Sequence, residues 1–159
     1  HGISILSFRE GYGYETDLKS DVGPLNHILD GVIKVGGVMA AKDLTRGGLA
    51  NGLNEWVSKS GYGIIVEEDP IPLKDPVVSA CDMLGFDPFE IGNEGKAIIS
   101  AIDGKEEEVL DVIRSYPEGK DAAIIGKVVD GRKRVILETS VGGRRIMDAP
   151  YGDPVPRIC

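Results

Sequence analysis

The sequence predicts an α+β fold: a mixed β-sheet with helices packed on one face, ending in an extended C-terminal arm. Three observations lead there. Runs with helical apolar spacing alternate with short β-branched runs, which is the pattern of helices laid on a sheet. An Asp130-Gly131 pair separates the last two β-like runs and signals an antiparallel hairpin, so the sheet is expected to be mixed. Glycines and prolines crowd the residues after Ser140, which argues against their joining the packed core.

In chain order, Ile3 to Ser7 is short, apolar and partly β-branched, and reads as a strand. A polar, glycine-containing connection then runs to Pro24, a residue suited to a first helical turn. From Leu25, residues Ile28, Leu29, Val32 and Ile33 recur at helical spacing until Gly36-Gly37 stops the run. Val38 to Ala41 reads as a strand, and Leu49, Leu53, Trp56 and Val57 mark the face of a second helix ending at Gly61. Ile64 to Val66 is the next strand, followed by an acidic, proline-punctuated loop at 67–72. A third helix places Val77, Cys81 and Leu84 on one stripe and closes at Gly85. Lys96 to Ile102 is a strand, and Lys105 to Tyr116 a helix with three glutamates in its first turn, where the helix dipole favours them. Two strands, Ala122 to Val129 and Arg134 to Glu138, close a domain expected to span 1–140, with 141–159 as the mobile arm.

The chain has a single modest aliphatic core in prospect: 159 residues, 42% hydrophobic but only 6% aromatic. A net charge of −8, spread along the sequence, argues against a nucleic-acid partner and favours solubility. No apolar run is long enough to span a membrane, and no signal peptide is visible. Cys81 and Cys159 are too few for a disulfide framework or a zinc site, so a reducing cytoplasm is expected. Because it begins on His1, with residues that read as part of a fold, the sequence is expected to be a piece of a larger chain.

Three stretches can carry chemistry. Asp43 to Gly48, DLTRGG, stands where a strand gives way to a helix. Thr45 or Asp43 can cap that helix, Gly47 and Gly48 let backbone N–H groups approach an anion, and Arg46 offers a guanidinium to phosphate; an ordinary cap with a surface arginine is the other reading. Asn93-Glu94-Gly95-Lys96 puts a carboxylate and an amide at a strand mouth, fit for a general base and an orienting group, or else a solvated turn with a Glu–Lys pair. The end of the chain, GDPVPRIC, is stiffened by Pro154 and Pro156 and carries the Cys159 thiol; the twelve residues from Asp148 reach about 40 Å when extended. A frayed tail is the plain alternative. The α-carboxylate beside Cys159 does not activate its thiol, so activation has to come from a partner site. Cys81 reads as a small core residue, and His1 and His27 as structural rather than catalytic.

Together HGISIL, SDVGPL, DLTRGGLA, GNEGK and the closing GDPVPRIC, in this order from end to end, resemble the HypE family of carbamoyl dehydratases in [NiFe]-hydrogenase maturation. The resemblance implies the C-terminal domain of such a protein, with an aminoimidazole ribonucleotide synthetase-like fold and most of the ATP and Mg2+ site in the half that precedes it. It implies that Cys159 is carrier and substrate: a carbamoyltransferase, HypF, loads a carboxamide on its sulfur, ATP-dependent dehydration leaves a thiocyanate, and the cyanide passes to iron on a HypC–HypD scaffold. Under it Glu94 is the candidate base, Asn93 the orienting amide, and Asp43, Thr45, Arg46, Gly47 and Gly48 the phosphate corner, with no metal ligand assigned. A homodimer is expected of the full-length protein, and no turnover of this piece alone. The family's usual proline after the motif aspartate is Leu44 here, which is expected to relax the corner. Another ATP-dependent superfamily member, a synthetase or small-molecule kinase, and a non-catalytic binding domain are the alternatives.

Overall fold

The computed structural model describes residues 1–9 and 18–152. Two sheets carry the helices. A two-stranded antiparallel sheet joins β1 (Val38–Asp43) to β3 (Ala97–Ala101), and a four-stranded mixed sheet has the order β4-β2-β5-β6, with β2 at Gly63–Glu67, β4 at Gly126–Val129, β5 at Val135–Glu138 and β6 at Arg144–Ile146. The single sheet expected from sequence is therefore two, and the α+β class stands.

Helix α1 spans Gly2–Arg9, α2 Asn26–Val35, α3 Gly48–Ser60, α4 Asp75–Leu84 and α5 Glu106–Arg114. Each of the last four buries part of the stripe its spacing announces: Ile28 and Val32 on α2, whose Ile33 is exposed, Leu49, Leu53 and Val57 on α3, Cys81 on α4, where Ala80 is buried beside it while Val77 and Leu84 are half-buried, and Val109 and Leu110 on α5. Gly61 and Gly85 end α3 and α4 in the left-handed conformation. The main core lies between α3 and the mixed sheet, where Leu53, Val66, Val135, Leu137 and Met147 meet. A smaller cluster of Ile3, Ala80, Cys81 and Ile91 joins α1 to α4. Burial pushes the Cys81 thiol up to about 11, with help from Asp87 and Asp82, so it is an inert core group. Among the described residues no helix is long and apolar enough to cross a membrane.

The strand expected at Ile3 to Ser7 is helix α1. A short run mixing Ile, Leu and Ser fits either period, and tertiary contact decides. Ile3 and Leu6, one turn apart, are both buried, while Ser7 Oγ donates back to the Ile3 carbonyl at 2.9 Å.

The hairpin expected at Asp130-Gly131 does not close on itself. β4 pairs antiparallel with one edge of β2 and β5 parallel with the other, so β2 lies between the two strands that the turn connects. The connection passes over the start of β2, where a Cβ on Gly63 would stand 1.9 Å from the Arg132 carbonyl oxygen. Only glycine admits that crossing.

The chain also fails to leave the core after Ser140. β6 extends the mixed sheet, pairing Ile136 with Ile146, and Met147 is 2% exposed with its N–H bonded to the Val135 carbonyl at 3.0 Å. Burying this side chain contributes roughly 1.5–3 kcal/mol, enough to override the glycines around it. Arg145 reaches Asp87 at 2.5 Å and sits 5.9 Å from the centroid of the Phe89 ring, tying the same segment to the loop after α4.

Candidate functional site

The two central motifs lie against each other because β1 and β3 pair. The register puts Asp43 opposite Ala97, so the residues leaving β1 and those entering β3 emerge side by side. Leu44 N–H donates to the Lys96 carbonyl at 3.1 Å and Asn93 N–H to the Leu44 carbonyl at 3.1 Å. A Cβ on Gly92 would stand 2.3 Å from the Thr45 carbonyl oxygen. The DLTRGG corner and the NEGK turn are thus one surface.

Leu44 is fastened into the fold at this corner. It is 6% exposed, packs in the main core, and uses an N–H that proline lacks. Leu44→Ala is expected to lower stability by about 2–4 kcal/mol in a urea titration, and a loss under 1 kcal/mol would show that the site is not packed as described.

On the corner, Thr45 Oγ1 donates to Asp43 at 2.7 Å, and no side chain caps α3, whose N-cap is Gly47; the expected Thr45 or Asp43 cap is absent because the two bond each other. Gly47 and Gly48 both have positive φ, 62° and 57°. Their conformational freedom serves chain packing first. A Cβ on Gly47 would lie 2.8 Å from Pro150 Cγ, and one on Gly48 would lie 2.5 Å and 2.6 Å from the carbonyl oxygens of Ile91 and Phe89. That side of Gly48 is closed by oxygen atoms, which leaves exposed Arg46 and the Thr45–Asp43 pair as the open part of the corner.

On the turn, Asn93 Nδ2 donates to the Ile91 carbonyl at 3.0 Å, which directs its amide and leaves Oδ1 as an acceptor. Glu94 is exposed and does not pair with Lys96. Lys96 instead reaches Asp21 at 2.5 Å. Asp21 also accepts from the Glu94 N–H at 3.3 Å, and a Cβ on Gly95 would stand 1.8 Å from its carbonyl oxygen. Burial raises the Asp21 carboxyl, and the hydrogen bond and charge of Lys96 lower it.

Asp21 is the site residue that sequence reasoning missed. Its signal was the SDVGPL stretch, where no role was assigned to the acid. Cys159 lies outside the described residues. Among those described, no three His, Cys, Asp or Glu side chains gather as a metal would require.

Comparison with known proteins gives this surface its family. Residues 1–138 match the family described as AIR synthase related protein, C-terminal domain. The whole chain is 49% identical to 48% of a putative hydrogenase expression/formation protein of Methanocaldococcus jannaschii, and 43% identical to 47% of the carbamoyl dehydratase HypE of Azotobacter vinelandii. It spans about half the length of these curated relatives. Among solved structures it superposes on HypE in complex with ATP with a TM-score of 0.93 at 36% identity, covering 100% of this chain and 49% of that one. On a HypE–HypF complex the TM-score is 0.90 at 38% identity, covering 94% of this chain and 49% of that one. The chain belongs to the AIR synthase related protein C-terminal domain family, and within it is similar to HypE along its whole length.

Proposed function

We propose that the chain is the C-terminal domain of a hydrogenase-maturation carbamoyl dehydratase, with Cys159 as the covalent carrier. The observation that carries this reading is the end-to-end similarity to HypE together with the meeting of the DLTRGG corner and the NEGK turn. In the full-length protein, HypF transfers a carbamoyl group derived from carbamoyl phosphate to the Cys159 sulfur: the C–O bond to the phosphate-bearing leaving group breaks, a C–S bond forms, and the thiol proton is lost. The amide oxygen then takes the γ-phosphoryl of ATP, and loss of phosphate with the remaining N–H proton leaves a thiocyanate on sulfur, with ADP, phosphate and a proton released. Most of the ATP and Mg2+ site is assigned to the rest of the full-length protein, a homodimer, and the cyanide to an iron centre on HypC–HypD.

This chain's own residues have three tasks in that sequence. Arg46 steadies phosphate oxygens beside the N-terminus of α3, where the dipole favours negative charge, and Thr45 joins it when its hydroxyl turns from Asp43 to the phosphate. Asn93 Oδ1 accepts from the carboxamide N–H and fixes the rotation of the group. Glu94 removes the amide proton as phosphate leaves, from a backbone that Asp21 holds at the Glu94 N–H.

Intact-mass measurement of the full-length parent, incubated with carbamoyl phosphate, ATP and HypF, tests the reading. A gain of about 43 Da that converts to a net gain of about 25 Da, mapped to Cys159, is expected. Deleting Ile158 and Cys159 should abolish both species. ATP-dependent phosphorylation of a separate small acceptor that survives the deletion would place the chain with the kinases and synthetases of the superfamily instead.

A further inference from the structure

The DLTRGG corner has two limbs, and one carboxylate bonds to both. Glu55, on α3, accepts from Lys59 at 3.1 Å on one oxygen, and on the other from Lys42 at 3.3 Å and from Asn51 Nδ2 at 3.2 Å. Lys42 precedes Asp43 in β1, and its ammonium also lies 3.9 Å from the Asp43 carboxylate, so it belongs to the limb that enters the corner. Asn51 belongs to the limb that leaves it. Its backbone N–H donates to the Gly47 carbonyl at 3.0 Å, and its Nδ2 donates to the Arg46 carbonyl at 3.0 Å.

Those two bonds fall on the peptides on either side of Gly47. Gly47 and Gly48 both have positive φ, and in such a pair the backbone by itself does little to hold the peptide planes in one orientation. Asn51 holds two successive planes. Its amide can face only one way: turned over, it would set Oδ1 against the Arg46 carbonyl and the Glu55 carboxylate, with no proton among the three acceptors. The hydrogen bond from Lys59, with Lys42 after it, outweighs desolvation and holds the Glu55 carboxyl below its ordinary value, so the acceptor that aims the amide stays charged. The Arg46 guanidinium, by contrast, is exposed and makes no ion pair among the described residues. Its carbonyl is tied while its charge is left open.

We propose that Asn51 is a positioning residue for the step that consumes ATP: aimed by Glu55, its amide pins the peptide between Arg46 and Gly47 and so presents the Arg46 guanidinium to phosphate oxygens. The inference rests on the reading of the corner as a phosphate site. Asn51 touches no phosphate in this scheme, and its whole effect passes through Arg46. Without it the peptide turns, the guanidinium spends less time in the arrangement that meets phosphate, and ATP binds more weakly by that fraction.

The test uses the full-length parent carrying Asn51→Ala, Asn51→Leu, Arg46→Ala, or Arg46→Ala together with Asn51→Ala. Neither replacement of Asn51 costs helix propensity, and leucine keeps the side chain's size without a donor. Each protein is loaded by HypF and carbamoyl phosphate, and conversion of the carboxamide is followed by intact mass over a series of ATP concentrations. The KM for ATP is expected to rise about tenfold in Arg46→Ala and about fivefold in either Asn51 variant, with loading of the Asn51 variants within about twofold of wild type. In the Arg46→Ala background, Asn51→Ala should add less than about twofold, because the group it positions is gone. A further fivefold in that background, or a wild-type KM in Asn51→Leu, overturns the inference and leaves the phosphate corner standing. A parallel fall in loading also overturns it, since a purely structural role would affect both steps. A wild-type KM in Arg46→Ala removes the corner from phosphate binding, and the inference falls with it.

Discussion

Gly48→Ala is expected to lower the stability of the domain by about 3–5 kcal/mol and to leave it largely unfolded at moderate urea. Two independent costs add. At a φ of 57° an alanine sits in the left-handed region, at roughly 1–2 kcal/mol. Its Cβ would also stand 2.5 Å and 2.6 Å from the carbonyl oxygens of Ile91 and Phe89. These are backbone atoms that cannot swing away, because Phe89 and Ile91 are 3% and 5% exposed and anchor the two core clusters. Either α3 moves back from the loop or the loop gives up its buried side chains, and both cost packing. Gly85 supplies the control: it too is left-handed, at φ 71°, yet nothing lies within 4 Å of a Cβ there, so Gly85→Ala should cost only about 1–2 kcal/mol of backbone strain. Urea titrations of the two variants read the difference directly. Equal losses would show that the approach of the 89–91 backbone to α3 is not as close as described.

The comparison of Gly85 with Gly48 also marks where reading the sequence stopped. As a helix stop Gly85 was legible, since its role is local. Gly47-Gly48 was legible as unusual at a helix start, and ligand approach was the natural inference; what fills the space is chain from residues 89–91 and from Pro150, which no local pattern reports. The same limit governs the other corrections. Helices α2 to α5 were legible because each repeats apolar residues over two turns or more. Helix α1 offered Ile3, Ile5, Leu6 and the exposed Phe8, a set that a strand would carry as readily. The glycine of Asp130-Gly131 does take a turn conformation, φ 81°, but which strand would lie between its two arms was decided by β2, more than sixty residues upstream. Met147 was hidden among glycines and arginines because one buried side chain has no period. In the site, each motif could be recognised alone, while their contact depended on β1 pairing with β3 and on Asp21 reaching across to Glu94 and Lys96.

That dependence sharpens the second large effect. Glu94→Gln in the full-length parent is expected to slow conversion of the Cys159 carboxamide to thiocyanate by about 100- to 10,000-fold, the range for removing a general base. Loading by HypF should stay near wild type. The substitution is clean for physical reasons. Glu94 is exposed, its side chain takes part in none of the turn's bonds, and the turn is held instead through backbone and neighbours: the Glu94 N–H on Asp21, Lys96 on Asp21, and Asn93 on Ile91 and Leu44. Glutamine keeps that geometry and the side chain's size while removing the proton acceptor. A loss seen only in conversion therefore reports chemistry, and a second variant separates positioning from proton transfer. Asp21→Asn keeps an acceptor for the Glu94 N–H but weakens the hold on Lys96, so it should slow conversion by a smaller factor, about tenfold, with Glu94 still present. Unchanged thiocyanate formation in Glu94→Gln would remove the residue from the mechanism. Equal losses in both variants would instead make the carboxylate part of the turn's scaffold, and the amide proton would then have to leave to a group outside this chain's corner.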